Sequence, residues 1–102
     1  MSSQATVMER KWFAIAPDGG ECDVTLQIGA PSQERDGEWC AVVRLAGLES
    51  GAQNIFGMDS WQAVALGMKF AASRAQDFCG RGWLFYWERG GEVVTQQEIG
   101  LW

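Results

Sequence analysis

The stretch Gly57-Met58-Asp59-Ser60-Trp61-Gln62-Ala63 divides the chain into a half patterned for strands and a half that opens with one long helix. Asp59 is a strong N-cap residue and Gln62 follows three residues later. The Asp59 carboxylate is therefore expected to accept from the free amide at Gln62 while the Gln62 side chain reaches back, a D-x-x-Q form of the capping box. From Ser60 to about Phe78 the apolar residues recur with a helical period, and one broad stripe runs from Trp61, Val64 and Met68 to Phe78. Ala63, Gly67, Ala71 and Ala75 add a ladder of small residues that permits close backbone approach. That contact offsets the roughly 1 kcal/mol that a helix-interior glycine costs.

Ahead of this switch the period is that of strands. Met8 to Ala16 is rich in bulky residues and ends at a Pro17-Asp18-Gly19-Gly20 turn. Cys22 to Gly29 alternates, with Val24, Leu26 and Ile28 toward a core and Asp23, Thr25 and Gln27 toward water. Trp39 to Ala46 and Ala52 to Phe56 read as two more strands. Short connections between consecutive strands favour an antiparallel meander. After Gly80-Arg81-Gly82 the run Trp83-Leu84-Phe85-Tyr86-Trp87 is apolar on both faces, so it is either sandwiched or presents a binding surface. Glu92 to Trp102 reads as a tail with weak strand character at Val93-Val94-Thr95 and an apolar end at Leu101-Trp102.

The expected fold class is thus α+β: a four-stranded antiparallel meander, one long helix packed on one face, and a C-terminal strand or extended tail. The 102 residues suffice for one domain, with residues 1–7 expected to be flexible, burying roughly two-thirds of its unfolded surface. No window approaches the ~18 consecutive apolar residues of a membrane span, and no basic segment leads into an apolar one near Met1, so the cytoplasm is the expected location. Cys22, Cys40 and Cys79 are odd in number and widely spaced, which fits small core residues in a reducing compartment better than a disulfide framework.

The chain contains no histidine, which excludes Ser-His-Asp and Cys-His nucleophiles and histidine-ligated metals. Neither Gly80-Arg81-Gly82 nor Gly90-Gly91 fits a phosphate-binding loop. Thirteen acids always allow carboxylate pairs to be drawn, but nothing selects one pair over another. The expectation is a non-enzyme without metal or cofactor. Net charge is −5, and from Pro17 to Asp59 eight acids face only Arg35 and Arg44. That distribution argues against nucleic acid, whose phosphates need a basic footprint, and fits a basic protein partner.

Six tryptophans are an excess for a chain of 102 residues. Trp39 and Trp61 read as core from their stripes. Trp83, Phe85 and Trp87 share one face of the last strand and are candidate anchors, with Asp23, Glu34, Asp36 and Glu38 as candidate attractors. Leu66 and Phe70 stand apart from the main stripe. Either the C-terminal segment folds over them or they form a partner or homodimer contact.

The series Val24-x-Leu26-x-Ile28-Gly29-x-Pro31, Trp39-Cys40, Gly57-x-Asp59-Ser60-x-Gln62-Ala63, Leu84-x-x-Trp87 and Glu98-x-Gly100-Leu101 resembles a family of small bacterial domains of unknown function. The resemblance spans nearly the whole chain after Met8. It implies a bacterial source and a strands-then-helix architecture, and it supplies no catalytic residues. The expected function is a protein-binding module, an acidic inhibitor or immunity-type protein that covers a basic site on a toxin or nuclease. The alternatives are a small-ligand module, with the ligand between the helix and an aromatic wall, and a self-associating structural protein.

Overall fold

The computed structural model of this protein describes residues 5–100. Its elements are β1 (Thr6–Ile15), β2 (Glu21–Gly29), β3 (Ser32–Gln33), β4 (Trp39–Ala46), β5 (Gln53–Gly57), α1 (Ser60–Gly80), β6 (Leu84–Tyr86) and α2 (Gln96–Ile99). The class is α+β as expected, but the described residues hold six strands rather than four. β1 already starts at Thr6, so Thr6 and Val7 of the segment expected to be flexible are strand. The apolar end at Leu101-Trp102 lies outside the described residues.

All strand pairs are antiparallel, and β1, β2, β4 and β5 form the anticipated meander. Pro31 interrupts the second strand, and the short β3 resumes pairing with β4 beyond it, at Ser32 with Cys40. A proline has no amide to donate to a ladder, which is why the strand breaks there. β6 joins the far side of β1 but covers only Phe13, Ala14 and Ile15. Among the described residues the rest of that side of β1 has no strand neighbour, and its register with β2 shifts between Thr6 and Met8.

The helix starts where the capping residues place it. Gln62 N–H donates to Asp59 Oδ1 at 2.7 Å. The Gln62 side chain accepts from Met58 N–H at 2.7 Å, one residue further back than in a capping box. The face that packs on the sheet is the small-residue ladder: Ala63, Gly67, Ala71 and Ala75 are buried. A Cβ on Gly67 would stand 3.2 Å from Val43 Cγ2, so the glycine is what lets helix and sheet approach. The broad stripe read from the sequence therefore splits. Trp61, expected in the core, is 84% exposed, because α1 lies over β4 and β5 and leaves its flank toward β1 without a strand beneath it.

The second half of the core is aromatic. Phe85 is 1% exposed and lies 5.0 Å from the Trp12 ring and 6.5 Å from that of Trp83, which in turn meets Phe78 edge-on at 5.5 Å. The Trp83 to Trp87 run is covered only in part, with Phe85 buried and Leu84 and Trp87 48% and 38% exposed; on its inner side the segment after it folds back, Val94 N–H donating to the Phe85 carbonyl at 2.7 Å, and Val94 and Ile99 are buried. On the outer face Phe13 is covered by Tyr86 and by the Arg89 guanidinium, 4.4 Å above its ring, with Arg89 held by Glu21 at 2.9 Å.

The short helix α2 was not anticipated. Thr95 N–H donates to Glu98 Oε1 at 2.9 Å and Glu98 N–H donates to Thr95 Oγ1 at 3.1 Å, a complete capping box. The Thr95 backbone bond first, then the Thr95 hydroxyl, Trp87 and the charge of Arg10, hold the Glu98 carboxyl below the usual carboxylate range. A depressed folded value means the contribution to stability is full above the unfolded pKa, about 4.3, and is lost as pH falls through the folded value. Amide protection factors at Val94 and Ile99 are therefore expected to fall as pH is lowered from 6 to about 3. Glu98→Gln should flatten that dependence, and protection that rises toward acid in the wild type would contradict this account.

Candidate functional site

An open groove runs along the flank of α1 that faces β1. Its strand wall is Val7, Met8 and Pro31; its helix wall is Ser60, Trp61, Val64, Ala65, Met68 and Lys69. The groove has a volume of about 790 Å3. It exists because helix and strand wall diverge there: α1 makes most of its contacts with β4 and β5, while Thr6 to Lys11 of β1 extend past β6 with their side chains exposed.

A second, smaller cavity of about 140 Å3 lies further along α1, lined by Leu26, Ile28, Ala71 and Ile99 among others. Met8 and Met68 line both cavities, so the two are neighbours. On its helix wall Trp61 is 84% exposed, and on its strand wall Val7 and Met8 are 49% and 44% exposed. Exposed apolar side chains lining one groove are the kind of patch that marks an interaction surface.

The ends of the groove differ in charge. Asp59 and the turn that follows Pro31 and β3 lie toward the helix start, and Lys69 lies toward the other end without an ion pair among the described residues. The turn holds Glu34, Asp36 and Glu38, all exposed, and is fixed by Glu34 N–H donating to the Glu38 carbonyl at 2.6 Å and Glu38 N–H donating to Asp36 Oδ1 at 3.0 Å. Glu34 is three residues from Pro31, about 10 Å of extended chain. This places Glu34 within roughly one Debye length of the groove.

The residues singled out from the sequence are thus only partly gathered. Glu34, Asp36 and Glu38 share one turn, while Asp23 lies apart, on the sheet face away from α1 and paired with Phe13. Of the three candidate anchors Phe85 is core, Trp83 is packed against Phe78, and Trp87 keeps 38% of its surface while its ring meets Trp12 and the Arg10 guanidinium. Leu66 is exposed, whereas Phe70 is packed against the core, and Ile99 of the C-terminal segment reaches Ala71 and Ala72 instead. The groove residues were missed because Trp61, Val64 and Met68 were assigned to the sheet-facing stripe. Consecutive Val7 and Met8 ahead of β1's alternating run were the available signal.

No group of three or more acids and cysteines stands close enough to hold a metal ion among the described residues. All three cysteines are unpaired. Burial pushes each thiol up, reinforced at Cys22 by Asp23 and at Cys40 by Glu34, so they remain protonated at neutral pH.

Fold and groove together define a small α+β domain with a sheet, one long helix over part of it and an apolar groove along the helix flank. Residues 8–90 match the family described as a domain of unknown function, DUF6968, and the chain belongs to that family. Among curated proteins and among solved structures nothing matches the chain. The matched region ends before Val94 and Ile99, so in this chain residues beyond it complete the core and line the smaller cavity. No helix among the described residues is long and apolar enough to cross a membrane.

Proposed function

We propose that this protein is a non-catalytic protein-binding module that receives an apolar segment of a partner protein in the groove between β1 and α1. The observation that carries this reading is the exposure of Trp61, 84%, on the wall of an apolar groove. A fully exposed tryptophan costs solvation in the free protein and is a frequent hot spot once covered. The acidic turn at Glu34, Asp36 and Glu38 supplies attraction for a basic flank on the same partner. In this reading the module acts by covering a basic site, as an inhibitor or immunity-type protein does, and its unpaired thiols fit the cytoplasm.

A small-ligand reading draws on the same groove, whose volume falls in the range of ligand sites and whose walls include Trp61, Met8 and Met68. Its open length fits a chain segment better, since a small molecule there stays largely exposed.

Selection from a random-peptide display library against the immobilised protein tests the proposal. Peptides with an apolar centre flanked by Lys or Arg are expected to enrich. Met68→Glu and the fully surface-borne Trp61→Ala should each weaken them by about tenfold or more. Reversing Glu34, Asp36 and Glu38 to Lys should weaken them further at low salt than at high salt. No enrichment, or peptides indifferent to both groove variants, would overturn the reading.

A further inference from the structure

We infer that the β5 edge is a dimer interface: a second copy of this chain pairs its own β5 there, about a two-fold axis perpendicular to the sheet at Ile55. The strands lie in the order β5-β4-β2-β1-β6, so the edges among the described residues are β5, β6 and the length of β1 that β6 leaves bare. The last two carry the protections that keep sheet edges from pairing. The bare part of β1 holds Glu9, Arg10 and Lys11 and a register shift between Thr6 and Met8. The far side of β6 is covered, with Trp87 N–H donating to the Glu92 carbonyl at 2.9 Å and Val94 N–H to that of Phe85 at 2.7 Å. Gln53–Gly57, by contrast, has no charge, no proline and an unbroken register with β4, and among the described residues no strand lies on its other side.

The alternation of the ladder identifies the free groups. Glu34 N–H donates to the Glu38 carbonyl at 2.6 Å, so Glu38 and then Cys40 turn their backbone groups toward β3, and Trp39, Ala41 and Val43 turn theirs toward β5. Gly57, Ile55 and Gln53, in register with those three, face β4, which leaves the N–H and C=O of Asn54 and Phe56 facing out. An antiparallel pair centred on Ile55 sets Asn54 opposite the partner's Phe56 and Phe56 opposite the partner's Asn54. Every outward donor then meets an outward acceptor, so the edge is complementary to itself.

The helix makes the occupant a second copy rather than a lone strand. Because α1 lies over β4 and β5, pairing at this edge brings the two helix axes to about 10 Å, two strand spacings, which is the separation of packed helices. The flank of α1 turned that way, opposite Val64 and Met68, carries Leu66 and Phe70, and Leu66 is 38% exposed. A lone strand would leave this flank open, whereas a second helix covers it. The groove lies on the other flank and stays accessible in the dimer.

Sedimentation velocity on the full chain from micromolar to millimolar concentration tests this, beside amide exchange followed by NMR over the same range. The wild type is expected to dimerise, with the Asn54 and Phe56 amides gaining protection as concentration rises and the Ile55 amide protected throughout. Leu66→Glu should raise the dissociation constant by about tenfold or more. Asn54→Pro removes an outward donor without touching the β4 ladder and should abolish the dimer. Trp61→Ala, on the groove flank, should leave it unchanged. A wild type that is monomeric throughout, or a dimer whose Asn54 and Phe56 amides exchange freely, would overturn the inference. So would a dimer broken by Trp61→Ala and indifferent to Leu66→Glu. A monomer that still enriches apolar peptides removes the second copy and leaves the groove reading standing.

Discussion

Phe85→Ala is expected to lower the free energy of unfolding by about 3–5 kcal/mol, a large share of the 5–15 kcal/mol available to a domain of this size. Phe85 is among the largest fully buried side chains, and it links the two parts of the aromatic core by touching Trp12 on β1 and Trp83 ahead of β6. Removing the ring leaves a cavity between groups held by separate elements, so collapse around it is limited. Aromatic pairs add about 0.5–1.5 kcal/mol beyond their buried area, and two such pairs are lost. The melting temperature should fall by well over 10 °C, whereas Trp87→Ala, at a ring already 38% exposed, should cost about 1 kcal/mol. A Phe85→Ala protein that melts within a few degrees of the wild type would show that Phe85 is no keystone and would reopen its candidacy as a surface anchor.

Gly57→Ala should also be strongly damaging, at about 2–3 kcal/mol. Gly57 ends β5 opposite Trp39, with the first turn of α1 directly above it. A Cβ there would come 2.5 Å from the Ala63 amide nitrogen and 2.9 Å from its Cα, both backbone atoms, so the helix start itself has to move. The displacement would carry Trp61 and the groove wall with it, which couples this stability effect to binding. Gly80→Ala provides the control: nothing lies within 4 Å of its Cβ position and its φ is ordinary, so it should be neutral or slightly stabilising. Urea denaturation of the two variants beside the wild type checks both expectations, and equal midpoints for all three would contradict the close approach of α1 to β5.

What the sequence made legible was what local chemistry decides. Asp59 and Gln62 mark the helix start to the residue, and the alternation at Val24, Leu26 and Ile28 assigns the inward face of β2. The small-residue ladder foretold the close contact seen at Gly67. Less legible was anything set by where α1 sits across the sheet. A helical stripe that includes Trp61 and Met68 as well as Ala63 and Ala71 spans more than one packing surface, and the period alone does not say which part meets the strands. The placement of β6 beside β1 depends on a contact across the fold that no local pattern encodes. For α2, however, the signal was present: Thr95-x-x-Glu98 is a capping box, and weak strand character in the preceding Val93-Val94-Thr95 obscured it. For the candidate site, the acids of the Glu34 to Glu38 turn were readable as exposed from their turn chemistry, while the groove they flank depends on tertiary geometry.

Methionine-methyl NMR decides whether the β1–α1 groove is the binding surface. Spectra would be recorded during titration with a peptide selected from the library. The Met8 and Met68 methyls are expected to shift, with the indole signals of the packed Trp12 and Trp83 nearly unmoved. Indole shifts at Trp83 and Trp87 with the Met8 and Met68 methyls unchanged would place the contact on another face and contradict the account.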